Sequence, residues 1–131
     1  MVMYEMRRLG QILRGHDYGP VGLFLGLSEV AFGAWLMLPS SEADLFWRAL
    51  ADNTYSPHIR GAAHLAIGLA QFATTILGPR WMRWPFFVGA FLWLTSAMLY
   101  AFALPNSPAV YFWTLYSAGS LWVALRAESD A

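Results

Sequence analysis

The chain of 131 residues contains no cysteine and no lysine. Without cysteine there is no disulfide framework, no thiolate nucleophile, no iron–sulfur cluster and no cysteine zinc site. Charge is scarce at 12% of residues, and eight basic residues, all arginine, balance eight acidic ones. A net charge of zero provides no basic field for nucleic acid, so no nucleic-acid partner is expected. Hydrolase signatures are missing too: neither G-x-S-x-G nor H-E-x-x-H occurs. These absences lead us to expect a protein that is not an enzyme and carries no cofactor.

What is abundant is apolar. Hydrophobic residues make up 58% and aromatics 17%, with a mean hydropathy of +0.44. This composition is that of a membrane protein, not of a soluble domain. The stretch Val21 to Leu38, VGLFLGLSEVAFGAWLML, is long enough to cross a bilayer and carries one carboxylate, Glu29, near its centre. Some twenty residues precede it, so a retained span is expected in preference to a cleaved signal peptide. Further spans are expected at about 59–77, 86–104 and 109–125. The predicted fold is therefore an all-α integral membrane bundle of four antiparallel transmembrane helices, up-down-up-down, forming a single domain over 1–131.

Two further helices are predicted to lie at the interface. In residues 1–15, Val2, Met6, Leu9 and Leu13 share one side and Arg7, Gln11 and Arg14 turn away, the pattern of an amphipathic interfacial helix. At 41–51, Ser41 and Asp44 fit a capping box and Leu45, Phe46, Ala49 and Leu50 supply an apolar side. The connection GPRWMRWP is predicted to make a tight reversal, with Arg80, Trp81, Arg83 and Trp84 as interface anchors. Arg7, Arg8, Arg14, Arg80, Arg83 and Arg126 fall on one side of the membrane, and only Arg48 and Arg60 on the other. By the positive-inside rule both termini are cytoplasmic, with a bacterial or phage-encoded inner membrane as the expected location.

Helical spacing brings Gly22, Gly26, Glu29 and Gly33 onto one face of the first span. On the second, Arg60, His64, Gly68, Gln71 and Thr75 form a face that is polar or small from end to end. Such a face is costly in lipid, so the two are expected to meet, with Gly22, Gly26, Gly33 and Gly68 permitting close helix packing. Glu29 would lie between His64 and Gln71, either ion-paired or as a protonated acid. Arg60, nearer the surface, is expected to snorkel to the interface. On the third span Gly89, Trp93, Ser96 and Tyr100 share a face, and on the fourth Thr114, Ser117, Ala118 and Leu121; both are assigned to helix packing.

No metal is expected. His58 and His64 project about 120° apart on a helix, and no second histidine is available in the bundle for a bis-histidine haem. Two uses remain for Glu29, His64, Gln71 and Arg60. They either form a polar clasp that fixes helix register, or they couple protons to transport. The run Ser28 to Met37, SEVAFGAWLM, resembles the first helix of small multidrug-resistance transporters, which are also four-span proteins; the match needs a one-residue insertion between glutamate and glycine. That resemblance implies that Glu29 is a proton- and cation-binding acid. The leading expectation is a non-enzymatic membrane component that homo-oligomerises or docks on other membrane subunits, with holin-like permeabilisation as one form. A proton-coupled transporter or channel is the alternative.

Overall fold

The structure, a computed structural model, describes residues 1–7, 18–38, 57–103 and 106–130. Among these the chain is all-helical: α1 (residues 2–7), α2 (Gly19–Met37), α3 (Pro57–Leu77), α4 (Pro79–Ala103) and α5 (Pro108–Asp130). The predicted interfacial helix at 41–51, the part of the N-terminal helix that holds Leu9, Leu13 and Arg14, and Arg48 lie outside the described residues. Of that N-terminal segment, Val2, Met3, Tyr4 and Met6 are exposed.

Each of the four long helices has a proline in its first turn: Pro20, Pro57, Pro79 and Pro108. Proline fits there because the missing N–H has no intrahelical acceptor in the first turn and the fixed φ suits the helix. The reversal after α3 is tighter than the sequence suggests, because one residue, Gly78, makes it. Its φ of +123° is open only to glycine without strain, and its N–H bonds Thr74 O at 2.9 Å, closing α3. Arg80 to Pro85 then form the opening turns of α4 instead of a connecting loop. Pro85 is tolerated inside the helix because it removes only the bond to Trp81 O, near the helix start. Helix α5 likewise runs past Leu125 to Asp130.

The helices pair as two antiparallel hairpins. The α2–α3 and α4–α5 contacts are the most extensive, α3–α4 is intermediate and α2–α5 is slight. One apolar cluster joins Tyr18, Leu25, Met82, Phe86, Val123, Ala124 and Ala127. Another joins Trp93, Ala97 and Trp113, with Phe32, Tyr100 and Tyr116 against it. Glu29, His64, Gln71, Ser96 and Ser120 are fully buried, whereas Phe24, Leu27, Phe91, Phe102, Tyr111, Phe112 and Leu115 face outward. Polar inside and apolar outside is the distribution that lipid selects. Two helical stretches, Gly19–Met37 and Pro79–Phe102, are long and apolar enough to cross a membrane.

Candidate functional site: a buried polar seam

The site starts from the close approach of α2 and α3. A Cβ built on Gly68 would lie 2.6 Å from Val30 N, and one on Gly26 would lie 3.1 Å from Phe72 N. Backbone therefore meets backbone on either side of Glu29, and that proximity carries the Glu29 carboxyl across to α3. Glu29 Oε1 and His64 Nδ1 are 3.0 Å apart, and both side chains are completely buried.

The rest of the seam follows from counting donors. Arg60 donates Nε–H to Ser96 Oγ at 3.1 Å and Nη2–H to the same oxygen at 2.9 Å; Nη2 also reaches Thr95 Oγ1 at 2.5 Å and Leu92 O at 3.3 Å. Guanidinium only donates, so its two N–H groups occupy both lone pairs of the Ser96 hydroxyl. The Ser96 hydroxyl is left to donate to His64 Nε2, 3.3 Å away. That makes Nε2 an acceptor and assigns the ring proton to Nδ1, which donates to Glu29 Oε1. The donors thus run in one direction, Arg60 to Ser96 to His64 to Glu29. Arg60 is the cationic end of this relay and Glu29 its acidic end.

The second carboxyl oxygen is placed differently. Glu29 Oε2, Gln71 Oε1 and Trp93 Nε1 are buried and have no hydrogen-bond partner among the described residues. Gln71 donates one amide N–H to Pro85 O at 3.2 Å, and the Gln71 amide and the Trp93 indole lie beside the Glu29 carboxyl as looser polar neighbours. Gly89 makes room here: a side chain on it would overlap the Gln71 amide and approach Glu29 Oε2 to 3.2 Å. Phe32 meets the His64 ring edge-on at 4.8 Å, and Trp93 covers it at 5.1 Å. Phe32, Trp93, Trp113 and Tyr116 pack on one another beside these rings.

Of the residues singled out in the sequence, the structure brings Glu29 and His64 into direct contact and sets Gln71 beside them. Arg60 neither snorkels outward nor pairs with Glu29. It is half-buried and turned onto α4, because the Ser96 and Thr95 hydroxyls and the Leu92 carbonyl together satisfy more of its donors than one carboxylate would. Gly22 packs against Thr75, Met82 and Phe86. Arg80, Trp81, Arg83 and Trp84 are exposed, and each arginine lies over the neighbouring indole, at 5.7 and 5.3 Å. Ser96, Thr95, Trp93, Gly89 and Gly61 belong to the seam or its packing as well. Three of them, Gly89, Trp93 and Ser96, share a helical face that sequence reasoning assigns to packing alone. No group of three or more metal-ligating side chains occurs among the described residues.

Comparison of the chain with protein-family models, with curated proteins and with solved structures gives no match.

Proposed function

We propose that the protein is a four-span membrane protein that passes protons through a Glu29–His64 exchange site. The observation that carries this reading is the asymmetry of the Glu29 carboxyl. Oε1 is held at the end of the donor chain at 3.0 Å, while the buried Oε2 meets only the looser Gln71 amide and Trp93 indole. A clasp built only for stability gains most when both oxygens are firmly held, since a buried polar atom left unpaired costs about 1–3 kcal/mol. A carboxyl oxygen held this loosely is one that can accept and release a proton. His64 holds the other oxygen, and Arg60 offsets the charge left when the proton departs.

Four crossings follow if α2 and α4 each cross. Helix α3 packs antiparallel along α2 and joins α4 through Gly78 alone, and α5 packs antiparallel on α4. With Arg7, Arg80, Arg83 and Arg126 on one side, the positive-inside rule assigns both termini to the cytoplasm.

The competing reading, a non-enzymatic component that oligomerises or docks on other membrane subunits, including a holin-like one, rests on small-residue faces that would await partner helices. Gly22, Gly26, Gly33 and Gly68 spend those faces on contacts within the chain, and Ser117 donates to Ala90 O at 2.7 Å. Proton movement therefore has the stronger basis. The test is reconstitution into liposomes holding a pH-sensitive dye, with a pH gradient imposed. The wild-type chain dissipates the gradient faster than empty vesicles, and Glu29→Gln, folded by circular dichroism, does not. Equal rates for wild type and Glu29→Gln would leave only the clasp.

A further inference from the structure

A second site lies away from the seam, in a groove of about 260 Å³ between α4 and α5 lined by Arg83, Trp84, Phe87, Ala124, Leu125 and Glu128. Its two ends differ. Arg83 Nη1 and Glu128 Oε1 stand 3.9 Å apart at the mouth, both exposed. Four residues further along α4 and four back along α5, Phe87 lies level with Ala124, one helical turn deeper. Helix α4 is one of the two helices apolar enough to cross a membrane, and Arg83 lies in its second turn. The charged end of the groove therefore sits at the head-group level, and the apolar end points toward the bilayer centre.

We infer that this groove binds one phospholipid whose head group carries both a phosphate and a free ammonium, the phosphoethanolamine class. Arg83 takes the phosphate and Glu128 takes the ammonium. The exposed ion pair is weak in water, so exchanging it for two ion pairs with a dipolar head group costs little. Trp84 lies at interfacial depth, where indoles favour the head-group boundary. Phe87, Ala124 and Leu125 receive the upper part of an acyl chain. A purely anionic lipid would satisfy Arg83 and be repelled by Glu128. A second copy of the chain, or a partner helix, would have to bury both charges. The inference needs only that α4 crosses the bilayer and does not depend on proton movement through Glu29.

Native mass spectrometry of delipidated full-length protein, titrated with dioleoyl phosphatidylethanolamine or dioleoyl phosphatidylglycerol, tests it. The wild-type chain retains one phosphatidylethanolamine in preference to phosphatidylglycerol. For contacts this exposed the preference is on the order of threefold. Glu128→Gln abolishes the preference by releasing the repulsion on phosphatidylglycerol. Arg83→Gln weakens binding of both lipids, and Phe87→Ser does the same without altering their ratio. Both charged positions are exposed, so these variants fold. Equal wild-type affinity for the two lipids, indifference to Glu128→Gln, displacement by soluble phosphoethanolamine at concentrations that match the lipid, or a dimer in place of a lipid adduct would each overturn it.

Discussion

Gly33 and Gly61 face each other so closely that neither tolerates a side chain: a Cβ on Gly33 would lie 2.6 Å from Gly61 O, and a Cβ on Gly61 would lie 2.9 Å from Gly33 O. With Gly26 and Gly68 a turn or two away, the contact pins α2 and α3 at one separation, and it is this separation that lets a glutamate side chain reach the imidazole. Gly33→Ala is expected to lower stability by about 1–3 kcal/mol, the usual cost of overpacking. Thermal unfolding in detergent reads the loss. Gly119→Ala is the control. Its new methyl would meet only Leu25 methyl groups at 3.6 and 3.7 Å, so the gain in helix propensity of up to about 1 kcal/mol dominates and the melting temperature holds or rises.

Removing Glu29 and modifying it should have different consequences. Glu29→Ala strands the buried Nδ1–H of His64, and the unpaired donor costs about 1–3 kcal/mol, with a cavity term added. Glu29→Gln keeps an oxygen that can accept from Nδ1–H, so most of the stability stays while the exchangeable proton is lost. Denaturant melts of the two variants, set beside the flux assay, separate support of the fold from proton chemistry. Equal destabilisation by both would show that the carboxyl group itself holds the helices.

Arg60→Lys should not behave as a conservative change. A guanidinium reaches Ser96, Thr95 and Leu92 from one planar fork, and an ammonium cannot reproduce that geometry. With Ser96 Oγ no longer saturated by donors, its hydroxyl proton is free to turn away from His64, and the tautomer assigned to the ring is no longer fixed. Nitrogen-15 NMR of the His64 ring reads this directly: the wild-type protein carries its proton on Nδ1, and the lysine variant shows a mixture. Identical ring spectra would remove Arg60 from the relay.

Ser117→Ala removes the bond to Ala90 O, which ties α5 to α4 at 2.7 Å. Hydrogen bonds between membrane helices average about 0.6 kcal/mol, so the loss should be of that order and leave flux unchanged. A loss several times larger would mean that α5 docks mainly through this one contact.

The residues on α2 and α3 were legible in the sequence because each helix carries polar or small side chains at helical spacing on an otherwise apolar cylinder. Glu29 and His64 stand out in such a setting, and lipid leaves them few places to point. The α4 contribution was not legible for the opposite reason. Ser96, Thr95 and Gly89 are small, and in a membrane helix small residues indicate packing as readily as chemistry; only the arrival of Arg60 shows that Ser96 is a relay. Arg60 turns onto α4 because snorkelling is the lower-cost option only when no hydroxyl pair is within reach. Gly78 was hidden by its neighbours: the composition RWMRWP resembles a loop, and only the positive φ of one glycine shows that the turn is complete before it begins.

The order in which the chain is made gives the α2–α3 pairing a meaning beyond packing. Glu29 and His64 belong to the same hairpin, so the acid meets its first partner as soon as α3 emerges, before α4 has been synthesised. If α2 and α3 both cross the bilayer, as proposed, nascent α2 need not expose an unpaired acid to lipid while the rest of the chain is translated. Ser96 reaches Arg60 and His64 only when the second hairpin docks, which makes completion of the relay a late event in biogenesis. A chain stopped after Leu77 should therefore insert stably as a hairpin and still lack the relay.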